Sequence, residues 1–394
     1  MKDKIKALAD KYYEEVVNHR KHLHSNPELS FQEYNTSKYI KDFLKKNNIE
    51  YTDGYVKTGI VAHIEGKNPE KKTIALRADI DALPILEKNE VDYKSQNDGV
   101  MHACGHDVHT SSMLGVCKIL NDLKNSFEGT FKIIFQPGEE ILPGGASLMI
   151  KEGALKNPNA ELIIGQHVYP QLEAGQVGFK KGMYMASADE IYVTVKGKGG
   201  HGALPDKCID SILLASHIIV ALQQIVSRHA DPTIPSVLTF GHIEGLGATN
   251  IIPNEVKIKG TFRTFDETWR KEAKIKMKKM AEAIAEGMGG SCDFDIHHGY
   301  PFLTNDEETT EIAWNSANEF LGKEMVFPLD LRMTSEDFAF YSQNIPSCFY
   351  RLGIANTDKG INSGLHTNTF DIDHESLRTS IGLMSFIAIR MMTQ

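Results

Sequence analysis

The chain has 394 residues, 41% of them hydrophobic and 24% charged, with 14 prolines and no low-complexity run; this excludes a disordered chain and implies two or three domains. A net charge of -9, with acidic and basic residues interspersed, excludes the basic face that nucleic-acid binding requires. Five cysteines, odd in number and without a Cys-x-x-Cys pair, suit a reducing cytoplasm better than a disulfide framework.

The first residues are charged and lack an apolar core with a small-residue cleavage site, so no signal peptide is expected. TSIGLMSFIAI, near the C-terminus, is shorter than the ~20 residues of a membrane span, and no membrane association is expected. KIKALADKYYEEVVNHRKHLH has helical spacing, TIALRADI is a short β-rich run and SSMLGVCKILNDLKN is helical again. GTFKIIFQ and ELIIGQHV read as buried strands, with a helix over GGASLMIKEGAL between them. Residues 1–182 thus predict a helix-covered α/β sheet, in which functional groups collect where strands end.

From 183 to 300 the pattern changes to strand EIYVTVKG, helix SILLASHIIVALQQIVSR, strands SVLTFGHIEG and EVKIKGTFRTF, helix ETWRKEAKIKMKKMAEAIAEGMG and strand CDFDIHHG. This β-α-β-β-α-β order is the ferredoxin-like unit. It reads as a domain inserted into the first, because α/β alternation resumes over 301–394 and ends in a helix near 375–392.

Chemistry-bearing residues gather at the predicted strand ends. In HACGHDVHT, Cys104 and His106 flank Gly105, a spacing at which thiolate and imidazole can bind a borderline metal. His102 and His109 are weaker candidates, since four donors from one short loop rarely converge. In QPGEE, Glu139 and Glu140 follow a strand and point in different directions, so that one could bind metal and the other serve as base. His167 closes ELIIGQ, and His366 lies in SGLHTNTF. Cys104, His106, Glu140, His167 and His366 together form a mixed S, N, O set large enough for two cations. Asp79 and Asp81 share one side of an extended RADIDALPI, where Asp81 could accept the N–H of a ligating histidine.

Eight ordered motifs, RADIDALPI, HACGHDVHT, QPGEE, GQHVYP, KGKGGHGALP, TNIIPNEVKIKGTFRTF, SEDFAFY and SGLHTNTF, closely resemble the co-catalytic metal aminoacylase/carboxypeptidase family. The closest branch contains N-acyl-amino-acid amidohydrolases, hippurate hydrolases and auxin-conjugate hydrolases. The resemblance covers essentially the whole chain. It implies two divalent ions, Zn, Mn, Co or Ni, held by Cys104, His106, Glu140, His167 and His366, with Cys104 where other branches use a bridging carboxylate. It also implies Glu139 as general base, His201 as an oxyanion-stabilising group reaching a neighbouring subunit's site, and Asn250 and Arg263 as holders of the substrate carboxylate. The inserted domain would serve as lid and dimerisation module of a homodimer, with a tetramer as the other assembly. The implied substrates are N-acyl amino acids; short peptides and a non-catalytic metal-binding role remain the alternatives. The sequence departs from the family pattern at Asn368, Gly202 and Gln166, none of them an implied ligand or base.

Overall fold

A computed structural model describes residues 1–393. The chain forms two compact units: Met1–Tyr184 with Thr304–Leu331 and the segment from Asp337 onward, and Met185–Leu303 with Arg332–Glu336. The short return of Arg332–Glu336 to the smaller unit departs from the division at 300 expected from the sequence.

The larger unit is built on an eight-stranded mixed sheet. Its strand order is Glu50–Tyr55, Gly59–Glu65, Thr130–Gln136, Thr73–Asp79, Leu162–Glu173, Ser347–Ala355, Val177–Phe179 and Val326–Pro328. Thr73–Asp79 pairs in parallel with both its neighbours, and Leu162–Glu173 pairs in parallel with Ser347–Ala355. Thr73–Asp79, Thr130–Gln136 and Ser347–Ala355 are buried along their whole lengths. Such strands, covered on both faces, carry continuous apolar runs instead of alternation. The helices Lys2–Ser25, His106–Asp122 and Glu375–Met392 pack against one another and bury Val16, Leu114, Ile119, Ile381 and Phe386 in the main core. Removing this apolar surface from water is the main drive for assembling the unit.

The strand holding His167 runs from Leu162 to Glu173, so His167 lies in mid-strand and not at a strand end. Continued pairing with Ser347–Ala355, in which Arg351 stands opposite His167, extends the strand beyond its apolar segment. The helix expected over GGASLMIKEGAL is confined to Gly145–Lys151, with Gly153 at φ +91° soon after.

In the smaller unit, the antiparallel sheet runs Ser236–Glu244, Glu255–Thr264, Asp189–Lys196, Ser291–His298, and the helices Ser211–Leu222 and Glu267–Gly287 pack on it. This is the ferredoxin-like β-α-β-β-α-β arrangement. Ile191, Val193 and Val195 point into the core from alternate positions of one strand, as the period of two requires. Asp210 and Asp266 cap the two helices by accepting their first free N–H groups.

Arg270 is fully buried and donates to both carboxylate oxygens of Asp189, each at 2.8 Å. Removing one partner of a buried pair strands the other charge. Arg270→Met is therefore expected to destabilise the smaller unit by about 3 kcal/mol. Urea unfolding followed through Trp269 fluorescence in a Trp314→Phe background checks this, and Asp189→Asn added to Arg270→Met should recover part of the loss.

Candidate functional site

The site starts from the turn before the helix His106–Asp122. Gly105 caps this helix at φ +82°, and a Cβ there would come within 2.5 Å of Val168 Cγ2. Glycine meets both constraints and lets Cys104 and His106 project from either side of the turn. The backbone N–H of His366 donates to the carbonyl of Ala103 at 2.9 Å, which ties the loop carrying His366 beside Cys104.

Cys104 Sγ lies 3.3 Å from His366 Nε2 and 3.5 Å from His167 Nε2. It belongs to two donor sets, one with His106 and His167 and the other with Glu140 and His366, and within each set the donor atoms lie within 4.8 Å of one another. Both sets carry the thiol in common. Glu139 and Glu140 form a third such set with His106.

Hydrogen bonds hold the imidazoles in the orientation a cation needs. His167 donates from Nδ1 to the Val168 carbonyl at 2.8 Å, leaving the Nε2 lone pair toward Cys104. His106 Nδ1 is 3.1 Å from Asp81 Oδ1, while Asp81 Oδ2 accepts from the Ser30 hydroxyl at 2.6 Å and the Glu140 N–H at 3.0 Å. Asp81 thus fixes which imidazole nitrogen of His106 faces the donor set. His109 is occupied elsewhere: Nε2 accepts the Val168 N–H at 3.0 Å, and Nδ1 is 2.5 Å from Asp79 Oδ1.

Two buried donor atoms, His106 Nε2 and Glu140 Oε1, have no hydrogen-bond partner among the described residues and stand 3.8 Å apart. A buried unsatisfied polar atom costs about 1–3 kcal/mol. A divalent cation accepts lone pairs from both, so the donor set fits the metal centre that the fold class implies.

The electrostatics agree with a cation site. Burial works against a charged His106, but Asp79, Asp81 and Glu140 outweigh it and raise its pKa from 6.5 to about 10. Burial, followed by Glu140 and Glu139, pushes the Cys104 thiol well up. Burial and then Arg351 hold His167 well below its ordinary value, in the neutral form that ligates metal. Carboxylates that raise the affinity of His106 and Cys104 for protons attract a metal ion by the same field.

The loop bearing Glu139 and Glu140 rests on buried residues that the sequence reading did not single out. Arg77 donates to Asp79 at 2.6 Å and to Asp337 at 2.8 Å. Asp337 also accepts from Gln136 and from the Ala146 N–H at 2.9 Å, and its own N–H reaches Glu139 Oε1 at 3.3 Å. Glu33 accepts the Gly138 N–H at 2.9 Å. Behind His106, Asp107 is 3.0 Å from Arg20 Nε and 2.7 Å from His24 Nδ1. Gln166, a departure from the family pattern, accepts from the Tyr350 hydroxyl at 3.0 Å and donates to Ser380 at 2.5 Å, so its burial is satisfied.

Glu139, Asp81 and the five expected metal donors all belong to the larger unit, whereas His201, Asn250 and Arg263 belong to the smaller. His201 is exposed, pairs with Ile251 across a two-residue ladder and accepts the Ala203 N–H at Nδ1. The Asn250 carbonyl accepts the Gly202 N–H at 2.8 Å, which brings Asn250 next to His201. Arg263 is half-buried, with Nη1 3.1 Å from Ser335 Oγ and 3.4 Å from the Met333 carbonyl.

A helix-covered mixed sheet, a ferredoxin-like insertion and a buried S, N, O donor set with a second carboxylate at its edge define a metal-dependent hydrolase. Residues 75–389 match Peptidase family M20/M25/M40, and the chain belongs to this family. It is 40% identical to an N-acyl-L-amino acid amidohydrolase of Geobacillus stearothermophilus over 78% of this chain and 82% of that one. An N-acetylcysteine deacetylase of Bacillus subtilis is 37% identical over 97% and 98% of the two chains. The crystal structure of a Bacillus subtilis dinuclear metal-binding peptidase of the M20 family superposes with a TM-score of 0.83 and 33% identity, covering 98% of this chain and 99% of that chain. The protein is accordingly a metal-dependent amidohydrolase.

Burial first, and Asp81 second, raise the Glu33 carboxyl from 4.5 to about 7. Below pH 4.5 it is protonated in both folded and unfolded chains. Between 4.5 and about 7 the unfolded chain alone loses the proton, so stability falls as pH rises through that window. Relative to wild type, Glu33→Gln should therefore gain roughly 3 kcal/mol across the window and level off above it. Urea unfolding over a pH series checks this; a difference that does not vary with pH contradicts it.

Proposed function

We propose that the chain cleaves the amide bond of N-acyl amino acids, releasing the free amino acid and a carboxylic acid. The observation that carries this reading is the buried thiol of Cys104 common to two donor sets, with Glu139 alongside. Cys104, His106, Glu140, His167 and His366 would hold two divalent cations, and their mixed softness suits Zn, Mn, Co or Ni. The names of the amidohydrolase and deacetylase relatives support the substrate class.

When bound, the cations supply Lewis acidity toward the amide carbonyl and lower the pKa of a water. Glu139 takes the proton from that water as it attacks the carbonyl carbon, then delivers it to the departing amine nitrogen. One carboxylate thus acts as base and afterwards as acid. His201 donates to the developing oxyanion. Arg263, always charged and forked, pairs with the carboxylate of the amino acid product, and Asn250 assists it. The peptidase neighbour supports a second reading, cleavage of dipeptides or of a C-terminal residue, by the same chemistry. Initial rates on N-acetyl and N-benzoyl amino acids compared with free dipeptides separate the two.

Glu139→Gln is expected to lower kcat by about 10²–10⁴-fold while both metal ions remain bound. Single-metal reconstitution of chelator-stripped protein, with metal content measured beside turnover, checks this; normal turnover in the variant rules Glu139 out as the base.

A homodimer joined through the smaller unit is proposed on separate grounds. Ser236–Glu244 is an edge strand, and Val237, Ile243, Leu213 and Val220 expose apolar side chains on this unit. Edge strands with apolar neighbours tend to acquire a partner. The helical stretch Ser211–His229 is long and apolar enough for a membrane span, but Leu214, Ile218, Leu222 and Ile225 on it enter the unit's own core. Covering its outer face with a second copy accounts for the remainder. Val220→Lys should shift the species seen by light scattering from dimer toward monomer; an unchanged mass rejects this surface, and a tetramer would require a further one. Five free cysteines, with Cys104 among the donors, favour the reducing cytoplasm as the working compartment.

A further inference from the structure

We propose that Glu33 is a positioning residue for Glu139, acting on turnover by fixing the backbone turn that presents the base. The inference rests on Glu139 being that base. It starts from the segment Ser30–Glu33, for which the reaction has assigned no use.

Glu33 is fully buried and joins three separate parts of the larger unit. Its Oε1 accepts the N–H of Phe31 at 2.8 Å and of Gly138 at 2.9 Å, and its Oε2 lies 2.8 Å from the Thr58 hydroxyl. Gly138 immediately precedes Glu139 and adopts φ +62°. A Cβ on Gly138 would lie 2.3 Å from the ring of Phe31, so that ring packs where only a glycine leaves room. Phe31 itself has φ +63°, a conformation that a bulky residue adopts only when its surroundings impose it. The bond from the Phe31 N–H to Glu33 is one such restraint.

On the far side of Glu139, the Glu140 N–H donates to Asp81, which also takes the hydroxyl of Ser30. The N–H groups of the two residues flanking Glu139, Gly138 and Glu140, are therefore held by carboxylates tied to one segment, Ser30–Glu33. Asp81 is in turn placed at His106 Nδ1. The segment consequently sets Glu139 relative to a metal donor. Proton transfer is sensitive to such placement, and a shift of about 1 Å can cost on the order of 10²-fold in rate.

The test compares wild type, Glu33→Gln and Glu33→Ala, each reconstituted with a single type of metal ion and assayed on an N-acetyl amino acid. Glutamine keeps Oε1 as acceptor for both N–H groups and can donate to Thr58; alanine removes all three bonds. Expected for Glu33→Ala is a 30- to 100-fold loss of kcat, on the scale of such misplacement, with KM within about twofold of wild type and metal content unchanged; Glu33→Gln should restore kcat to within a few fold. Hydrogen exchange in the metal-free proteins supplies a readout independent of turnover. Peptides spanning residues 137–146 should exchange faster in Glu33→Ala, with wild-type exchange in Glu33→Gln and in the helix Glu375–Met392. Wild-type kcat and exchange in Glu33→Ala would overturn the proposal, as would a loss confined to KM, or Glu33→Gln falling as far as Glu33→Ala. If Glu33→Ala does not fold, Thr58→Val, which removes only the partner of Oε2, carries the same comparison with a smaller expected loss. A wild type that cleaves no amide would refute the proposed base and substrate, while the exchange comparison would still decide whether Glu33 fixes the turn.

Discussion

The larger unit is organised around the confinement of like charges. Asp79 and Asp81 are fully buried, Glu139 is nearly so, and Glu140 approaches them beside the Cys104 thiol. Carboxylates crowded out of water repel one another and lose hydration, so each needs a compensating partner. Arg77 answers Asp79 and Asp337, His106 answers Asp81, and His109 is committed to Asp79. These partners are consumed before Glu140 Oε1 and His106 Nε2 are reached, and among the described residues both remain without a hydrogen bond. The surplus of acceptors over donors at that point is what a divalent cation corrects. The burial of Arg77 follows from the same requirement, because a fully buried guanidinium is tolerated only where several acceptors surround it.

Elements with a strong apolar period were legible in the sequence. The helices near the two chain ends and the whole β-α-β-β-α-β order of the smaller unit lie where periodicity placed them. The hairpin Glu50–Tyr55 with Gly59–Glu65 was not read, and its turn explains why. Val56 and Lys57 take positive φ there, at 49° and 74°, where turn chemistry leads one to look for Gly, Asn or Asp. The donor set was legible in five residues taken as one set and in the family resemblance, since the spacing of Cys104 and His106 alone is a weak signal. Its supports were not: Glu33, Asp107 and Asp337 are common residue types whose meaning lies in contacts across more than eighty positions of sequence. A lone buried acid gives no periodic signal. Burial and pairing reveal it only after folding.

The supports also separate two kinds of work. Arg20, His24 and Asp107 brace the helix start that carries His106, and no donor atom comes from them. Asp81 belongs to both kinds, since one oxygen orients an imidazole and the other fixes the peptide of Glu140. A change there would disturb metal affinity and base geometry together. Glu33 sits one step further away and bonds the turn before the base, Phe31 and Thr58 but none of the five donors, so its effect can be separated from metal binding.

His366 is the exception among the donors. Its side chain is 53% exposed, whereas Cys104, His106 and His167 are buried, and its backbone takes φ +60°. A non-glycine residue in the left-handed region carries strain that the surrounding structure must hold. Here the restraint is visible in the bond from the His366 N–H to Ala103, which couples that strained position to the Cys104 turn. The buried donors are fixed by the sheet and by the helix beginning at His106, while the exposed one is fixed by a loop. The side of the donor set that faces water is therefore the side held by a loop and its backbone bonds. Asn368, where the family pattern has proline, lies two residues beyond and gives its carbonyl to the Lys88 N–H at 2.8 Å. That bond supplies a second anchor for the loop at the position where the usual ring, which fixes φ, is missing.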